Sequence, residues 1–250
     1  MSKKKIVSLF IGGILAIGLI GGSFAWFTSK DSITNAFETV NFGETNNMES
    51  GVKIEESFDR EGAKNMIPGS TKKKEVKIKN TANYNQFIRV KIDKVWKHKG
   101  EIVTHYIEKI EKQKDEHGND KEVKKYEYLT KEQASSNKKA IPLDESLIVL
   151  NFNKDHLNNI NNMRDKWTNV KDLGEDNGWF YYIARVVPNG ETNLLLDSVT
   201  LSLDASIVYK SLAFDVVVTA ESVQDANSAL DDVWGDIPSL VKNAMIKYQI

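Results

Sequence analysis

The chain contains no cysteine. That excludes thiolate catalysis, disulfide staples and cysteine-ligated zinc, so an exported form would be held by core packing, metal or assembly. Histidine is scarce too: His98, His105, His117 and His156 are the full set. None of them pair at i and i+4, so the helical His-Glu-x-x-His site of a zinc peptidase is missing. There is no Gly-x-Ser-x-Gly elbow and no glycine loop to cradle phosphate. Asp115-Glu116-His117-Gly118-Asn119-Asp120 carries oxygen donors without EF-hand spacing. Asp231-Asp232 reads as a solvated helix face rather than acid/base machinery. The expectation is a protein that is not an enzyme, with no catalytic or metal residues and no cofactor.

Charge of one sign is also lacking. The formal net charge is −1 at pH 7, and losing Lys3, Lys4 and Lys5 with a leader would make the remainder somewhat more acidic. No basic field draws in nucleic acid. With 40% apolar and 28% charged residues, the composition is that of an ordinary globular domain.

What is present begins at the N-terminus. Lys3 to Lys5 form a basic patch, Ile6 to Gly22 is an uncharged apolar run rich in glycine, and Ser23-Phe24-Ala25 closes it with small residues. This is the layout of a secretory signal peptide over residues 1–25, cleaved between Ala25 and Trp26. The run is nearly long enough to span a bilayer, so an uncleaved anchor is the rival reading. Its glycines and small-residue exit favour cleavage, leaving the membrane a transient contact. A cysteine-free exported chain suits a Gram-positive envelope better than a disulfide-forming periplasm.

The rest reads as β structure. Residues 26–43 form an N-terminal segment in which Trp26, Phe27, Ile33 and Phe37 are apolar. Val52 to Ile54 is a short strand. Pro68-Gly69 occupies the centre of a type II turn and leads into Lys74 to Lys79, where Val76 and Ile78 alternate with charge. Gln86 to Trp96 alternates likewise, with a bulge or strand end expected at Val95-Trp96. Glu111 to Lys125 is dense in both charge signs and reads as a solvated hairpin.

Further on, Ser146 to Phe152 is an apolar run with the look of a central strand, and Asp155 to Trp167 carries apolar residues at helical spacing. Gly178 to Val187 is a buried strand, with half or more of Trp179, Phe180, Tyr181 and Tyr182 in the core rather than on a sugar-binding platform. Thr192 to Leu203 returns with Val199, Leu201 and Leu203 alternating. Ser211 to Gln224 is a long valine-rich strand, and Ala226 to Trp234 is a short helix stopped by Gly235. The expected fold is mainly β, a jelly-roll/β-sandwich with one or two short helices. It forms a single domain over residues 44–250 with a charged insertion at about 97–145.

These pieces match a known family. The lysine start and Gly-rich leader, Ala25-Trp26-Phe27, Thr28-Ser29-Lys30-Asp31 and the Pro68-Gly69 turn before Val76-Lys77-Ile78-Lys79-Asn80 are the first matching residues. Gly178-Trp179-Phe180-Tyr181-Tyr182, Pro188-Asn189-Gly190-Glu191-Thr192, Leu196-Asp197-Ser198-Val199, Val218 to Gln224 and Trp234-Gly235 follow in order. The chain resembles the TasA/camelysin family, and most the clostridial branch of alternate-signal-exported biofilm surface proteins. Residues 97–145 carry none of the likeness.

The resemblance implies a secreted subunit, released by a dedicated signal peptidase, that polymerises head to tail into extracellular matrix or cell-surface fibres. In such fibres the mature N-terminal segment of one copy completes the sheet of the next, here through Trp26, Phe27, Ile33 and Phe37. The partner is then the chain itself, with minor fibre subunits besides. Two other readings stand beside it: a camelysin-like surface metalloprotease, and a non-polymerising adhesin or accessory subunit of the same fibres. An ordinary edge strand folded back on its own domain is the plain alternative for residues 26–42. Neither a Leu-Pro-x-Thr-Gly signal nor a C-terminal apolar tail is seen, which favours retention by assembly over covalent wall attachment.

Overall fold

Two-residue alternation sets most of the strands. In a computed structural model, residues 28–36, 51–59, 63, 66–114, 117–157, 164–170, 177–226 and 228–247 are described. The strands are β1 Thr28–Ala36, β2 Val52–Phe58, β3 Thr71–Asn80, β4 Gln86–His98, β5 Glu101–Val103, β6 His105–Lys114 and β7 Asp120–Leu129. They continue with β8 Ile141–Pro142, β9 Ile148–Phe152, β10 Trp167–Thr168, β11 Trp179–Tyr182, β12 Leu196–Leu201 and β13 Ala213–Gln224. The helices α1 Lys131–Ser135, α2 Ala229–Val233 and α3 Ser239–Lys247 are short.

All three sheets are antiparallel. The first has the order β1-β13-β4-β11-β10, with β5 also on β4; the second is β2-β3-β12-β9; the third is β7-β6-β8. The first two pack face to face as a β-sandwich. One cluster joins Ile88, Val90, Val216, Val218 and Ala220 of the first sheet to Val52, Ile54, Val76, Ile78 and Val199 of the second. Period-two strands make this possible by turning alternate side chains onto the shared face.

The first sheet is buried on its other face as well. Phe87, Tyr181, Ile183 and Val223 point outward onto Ala229, Leu230, Trp234, Val241 and Met245 of the C-terminal helical region. Neighbours Phe87 and Ile88 therefore go to opposite faces, and both are fully buried. The α2 helix lies where the sequence placed one. The α3 and α1 helices were not expected, so the described residues hold three helices rather than one or two.

Other departures have physical causes. The strand β4 pairs with β13 without a break from Gln86↔Gln224 to Lys97↔Ala213, so there is no bulge at Val95-Trp96. The apparent loss of alternation is Lys94, which takes an inward position yet sends its Nζ to the Ile148 carbonyl at 3.0 Å. The helix expected over residues 155–167 is not formed where it is described. The Asn153 Oδ1 accepts from the Asp155 and His156 amides in a turn, and Trp167 sits in β10 opposite Tyr182. Residues 158–163 lie outside the described residues.

Strand β9 is an edge of its sheet, not a central strand. Only Trp179 to Tyr182 of the stretch 178–187 forms a strand, and Tyr181 and Tyr182 are its buried half. The alternation after Val199 stops at Leu201, leaving Leu203 80% exposed. The Pro68-Gly69 turn is present: the Ser70 amide donates to the Ile67 carbonyl at 2.9 Å, and Gly69 has φ +84°. A Cβ at Gly69 would also stand 2.6 Å from Leu203 Cδ2.

The stretch at about 97–145, expected as an insertion, holds β5, α1 and the third sheet. Its β6–β7 hairpin pairs His105↔Leu129 through Lys114↔Asp120. Thr130 and Gln133 form a capping box at the start of α1. Among the described residues no helix is long and apolar enough to cross a membrane.

Candidate functional site

The sandwich has two distinct ends. Asn80, the β3–β4 connection, Gln86 and Val186 mark one, where the Asn80 amide side chain donates to the Tyr84 and Val186 carbonyls, both at 2.8 Å. Thr71, Leu201, Trp96 and Ala213 mark the other. The chain enters on β1, which pairs with β13 at all nine positions, from Thr28↔Val223 at the Gln86 end to Ala36↔Asp215 at the Ala213 end.

Of the residues proposed for strand donation, only Ile33 falls in the described part, registered opposite the buried Val218. Trp26, Phe27 and Phe37 lie outside it, as do Ala25 and the leader. Ser32 Oγ stands 3.4 Å from Thr219 Oγ1 across the pair. The strand is peripheral: β13 is its single sheet neighbour, and β13 without it would present an open row of backbone donors and acceptors.

The next strand runs the same way. Val52 of β2 is opposite Asn80, and Phe58 is opposite Lys74, so β2 also starts at the Gln86 end. Ala36, where β1 ends, and Val52, where β2 begins, therefore stand at opposite ends of the sandwich.

At the Ala213 end lies a groove of about 580 Å³, with Met66, Pro68, Trp96, Leu201, Tyr209 and Phe214 among its lining. Its aromatic wall is fixed by local packing. The Trp96 ring lies 4.8 Å from Tyr209 and 5.6 Å from Phe214 between centroids. Trp96 Nε1 donates to the Asp144 carbonyl, while the Tyr209 hydroxyl accepts from the Asp144 amide, both at 3.0 Å. Ile67 (68%) and Ile207 (66%) stand exposed at its lip, with the exposed Leu203 packed beside Gly69. Large exposed apolar residues gathered in one place mark an interaction surface more often than a solvated one.

Among the described residues, three ion-pair sets have a buried member. Lys97 Nζ meets Asp215 Oδ2 at 3.0 Å, next to the end of β1. Burial pushes the Asp215 carboxyl up and Lys97 opposes the shift. Lys74 is fully buried against Glu56 and beside the Phe58 ring; burial lowers its pKa, and the Glu56 charge and hydrogen bond counter that. Arg89 donates to Glu221 (3.0 and 2.9 Å) and Asp236 (2.8 Å) between the rings of Trp179 (4.1 Å) and Trp234 (4.8 Å). This last set ties the region after α2 to the first sheet.

The histidines are scattered. His98 packs on Tyr128 at 4.6 Å, His105 Nδ1 is 2.9 Å from Thr104 Oγ1, His117 is exposed and His156 is half-buried. No group of three metal-ligating side chains occurs among the described residues.

The geometry defines a class: an antiparallel two-sheet β-sandwich with a peripheral N-terminal strand at one edge and an apolar groove at one end. Comparison of the chain with family models, curated proteins and solved structures returns no match. Sequence reasoning missed the groove because its walls come from four separate stretches, none with a motif. The exposed Ile67, Leu203 and Ile207 were the available signal, hidden as ordinary apolar residues near turns. The alternation of β4 turns Arg89 away from Ile88 and Val90 but does not show the helical layer that covers that face.

Proposed function

We propose that this chain is an exported structural subunit that polymerises into extracellular biofilm-matrix or cell-surface fibres, each copy giving its β1 to β13 of the next. The observation that carries the reading is the placement of β1. It is a whole strand at a sheet edge, joined to the body only through residues 37–50. The same antiparallel register serves equally well when the strand comes from another copy, because backbone hydrogen bonds and alternate side-chain positions are indifferent to chain identity.

Chain length permits exchange. Ala36 and Val52 stand at opposite ends of the sandwich, about 30 Å apart along the strand direction, and the residues between them in sequence reach about 50 Å when extended. With β1 on the next copy in a head-to-tail stack, the two positions to be joined lie at the facing ends of neighbouring bodies. That contact is heterologous and does not close, so repetition makes a filament. The resemblance to TasA/camelysin fibre proteins points the same way, as does the signal-like leader.

Electron microscopy in negative stain tests the reading on protein starting at Trp26 beside protein starting at Val52. Filaments from the first and monomers from the second are expected. Folded monomers from both would replace the homopolymer with an accessory or adhesin role.

A further inference from the structure

We infer that the groove at the Ala213 end is the seat for the Trp26-Phe27 dipeptide of another copy, so that each junction of the fibre is plugged by aromatic side chains. The inference rests on the proposed cleavage after Ala25 and on head-to-tail stacking, and it adds the acceptor site that those leave open.

Polarity carries the argument. The register of β1 places Thr28 opposite Val223, so β1 starts at the Gln86 end. The groove opens at the opposite end, walled by Trp96, Tyr209 and Phe214. In a head-to-tail stack the Gln86 end of one body meets the Ala213 end of the next. That holds whether β1 pairs with its own β13 or a neighbour's, because in both cases its start emerges at the Gln86 end of the body that holds it. The next body then presents its groove to Trp26-Phe27.

Size and chemistry agree. A space of about 580 Å³ falls within the range of sites that enclose a ligand. Two aromatic side chains are suited to it by their apolar faces and their edge-to-face packing on other rings. Exposed Ile67 and Ile207 at the lip would be covered in the same step, which accounts for large apolar side chains there that water otherwise meets. The contact is again non-closing, so it adds to the fibre axis rather than making dimers.

Photocrosslinking combined with assembly assays tests this on the full mature chain starting at Trp26. Phe27→p-benzoylphenylalanine, assembled and irradiated, is expected to join chains through peptides containing Met66 or Ile207 to Tyr209. The Trp26→Ala/Phe27→Ala variant, altered only ahead of β1 in sequence, is expected to keep its unfolding temperature and lose polymer yield at least tenfold. Ile67→Glu/Ile207→Glu, which charges the exposed lip of the groove, is expected to do the same. Crosslinks confined to one chain or to other surfaces overturn the plug, as does a double variant that assembles like the parent. In that last case strand donation still stands. A mature chain that makes no filaments removes both the plug and the fibre reading.

Discussion

The sandwich and the β6–β7 hairpin are both antiparallel β structure, yet they are held by opposite means. In β13 the alternation puts Val216, Val218 and Ala220 into the core with no exposure. In the hairpin almost every described residue from Glu108 to Glu127 is exposed, and its strands are laced by charge pairs instead: Lys109–Glu127 at 2.5 Å, Lys124–Glu108 at 2.9 Å and Lys125–Glu111 at 2.5 Å. Only its base, through Tyr106, Tyr126 and Tyr128, touches the sandwich core. Regular pairing therefore needs no hydrophobic face once a neighbouring body anchors the base, but stability does.

The comparison breaks first at its strongest point. Trp96→Ala removes a fully enclosed ring from both the core and the groove wall, and should cost about 3–5 kcal/mol in urea unfolding. Nearly as large is Arg89→Leu, which leaves Glu221 and Asp236 without their cation. Loss of one partner of a buried ion pair costs about 3–5 kcal/mol, and the exposure of Asp236 (55%) places this case at the lower end.

Gly69→Ala follows. A φ of +84° and the close Leu203 methyl together predict a loss of about 1–2 kcal/mol, read as a lower urea midpoint at unchanged m-value. Tyr182 gives a pH signature. Burial in the core pushes its hydroxyl from the ordinary 10.0 up to about 12. Because the folded value lies above the unfolded one, its contribution is full below pH 10 and is lost as pH rises toward 12. Tyr182→Phe should flatten that alkaline decline in unfolding temperature. The smallest effect belongs to the hairpin: replacing Lys109 to Lys125 by Asn-Gly should leave the unfolding temperature unchanged within measurement error.

Strands were legible where one face met the core and the other met water. Lys74 to Lys79 and Gln86 to Ile92 announced themselves by alternation, and Pro68-Gly69 by turn chemistry. Legibility failed where a third layer intervened. Arg89 looks like an outward charge in the sequence because nothing local shows the rings of Trp179 and Trp234 closing over it. The stretch from Asp155 to Trp167 misled because apolar spacing fitted a helix, while the Asn153 side chain bonded two amides and closed a turn in its place. Of the candidate site, the stretch bearing Ile33 was read as a strand and pairs with β13, while the groove was not legible, since its lining is assembled from distant turns.

The most direct test of strand donation uses the absence of cysteine. Ser32 and Thr219 face each other on β1 and β13 with their hydroxyls 3.4 Å apart, within reach of disulfide geometry after substitution. Ser32→Cys/Thr219→Cys protein starting at Trp26 would be assembled, oxidised and run denatured without reductant. Donation predicts a ladder of covalent multimers that reductant collapses to one band. A single monomer band carrying an internal disulfide, recovered from intact filaments, would contradict it.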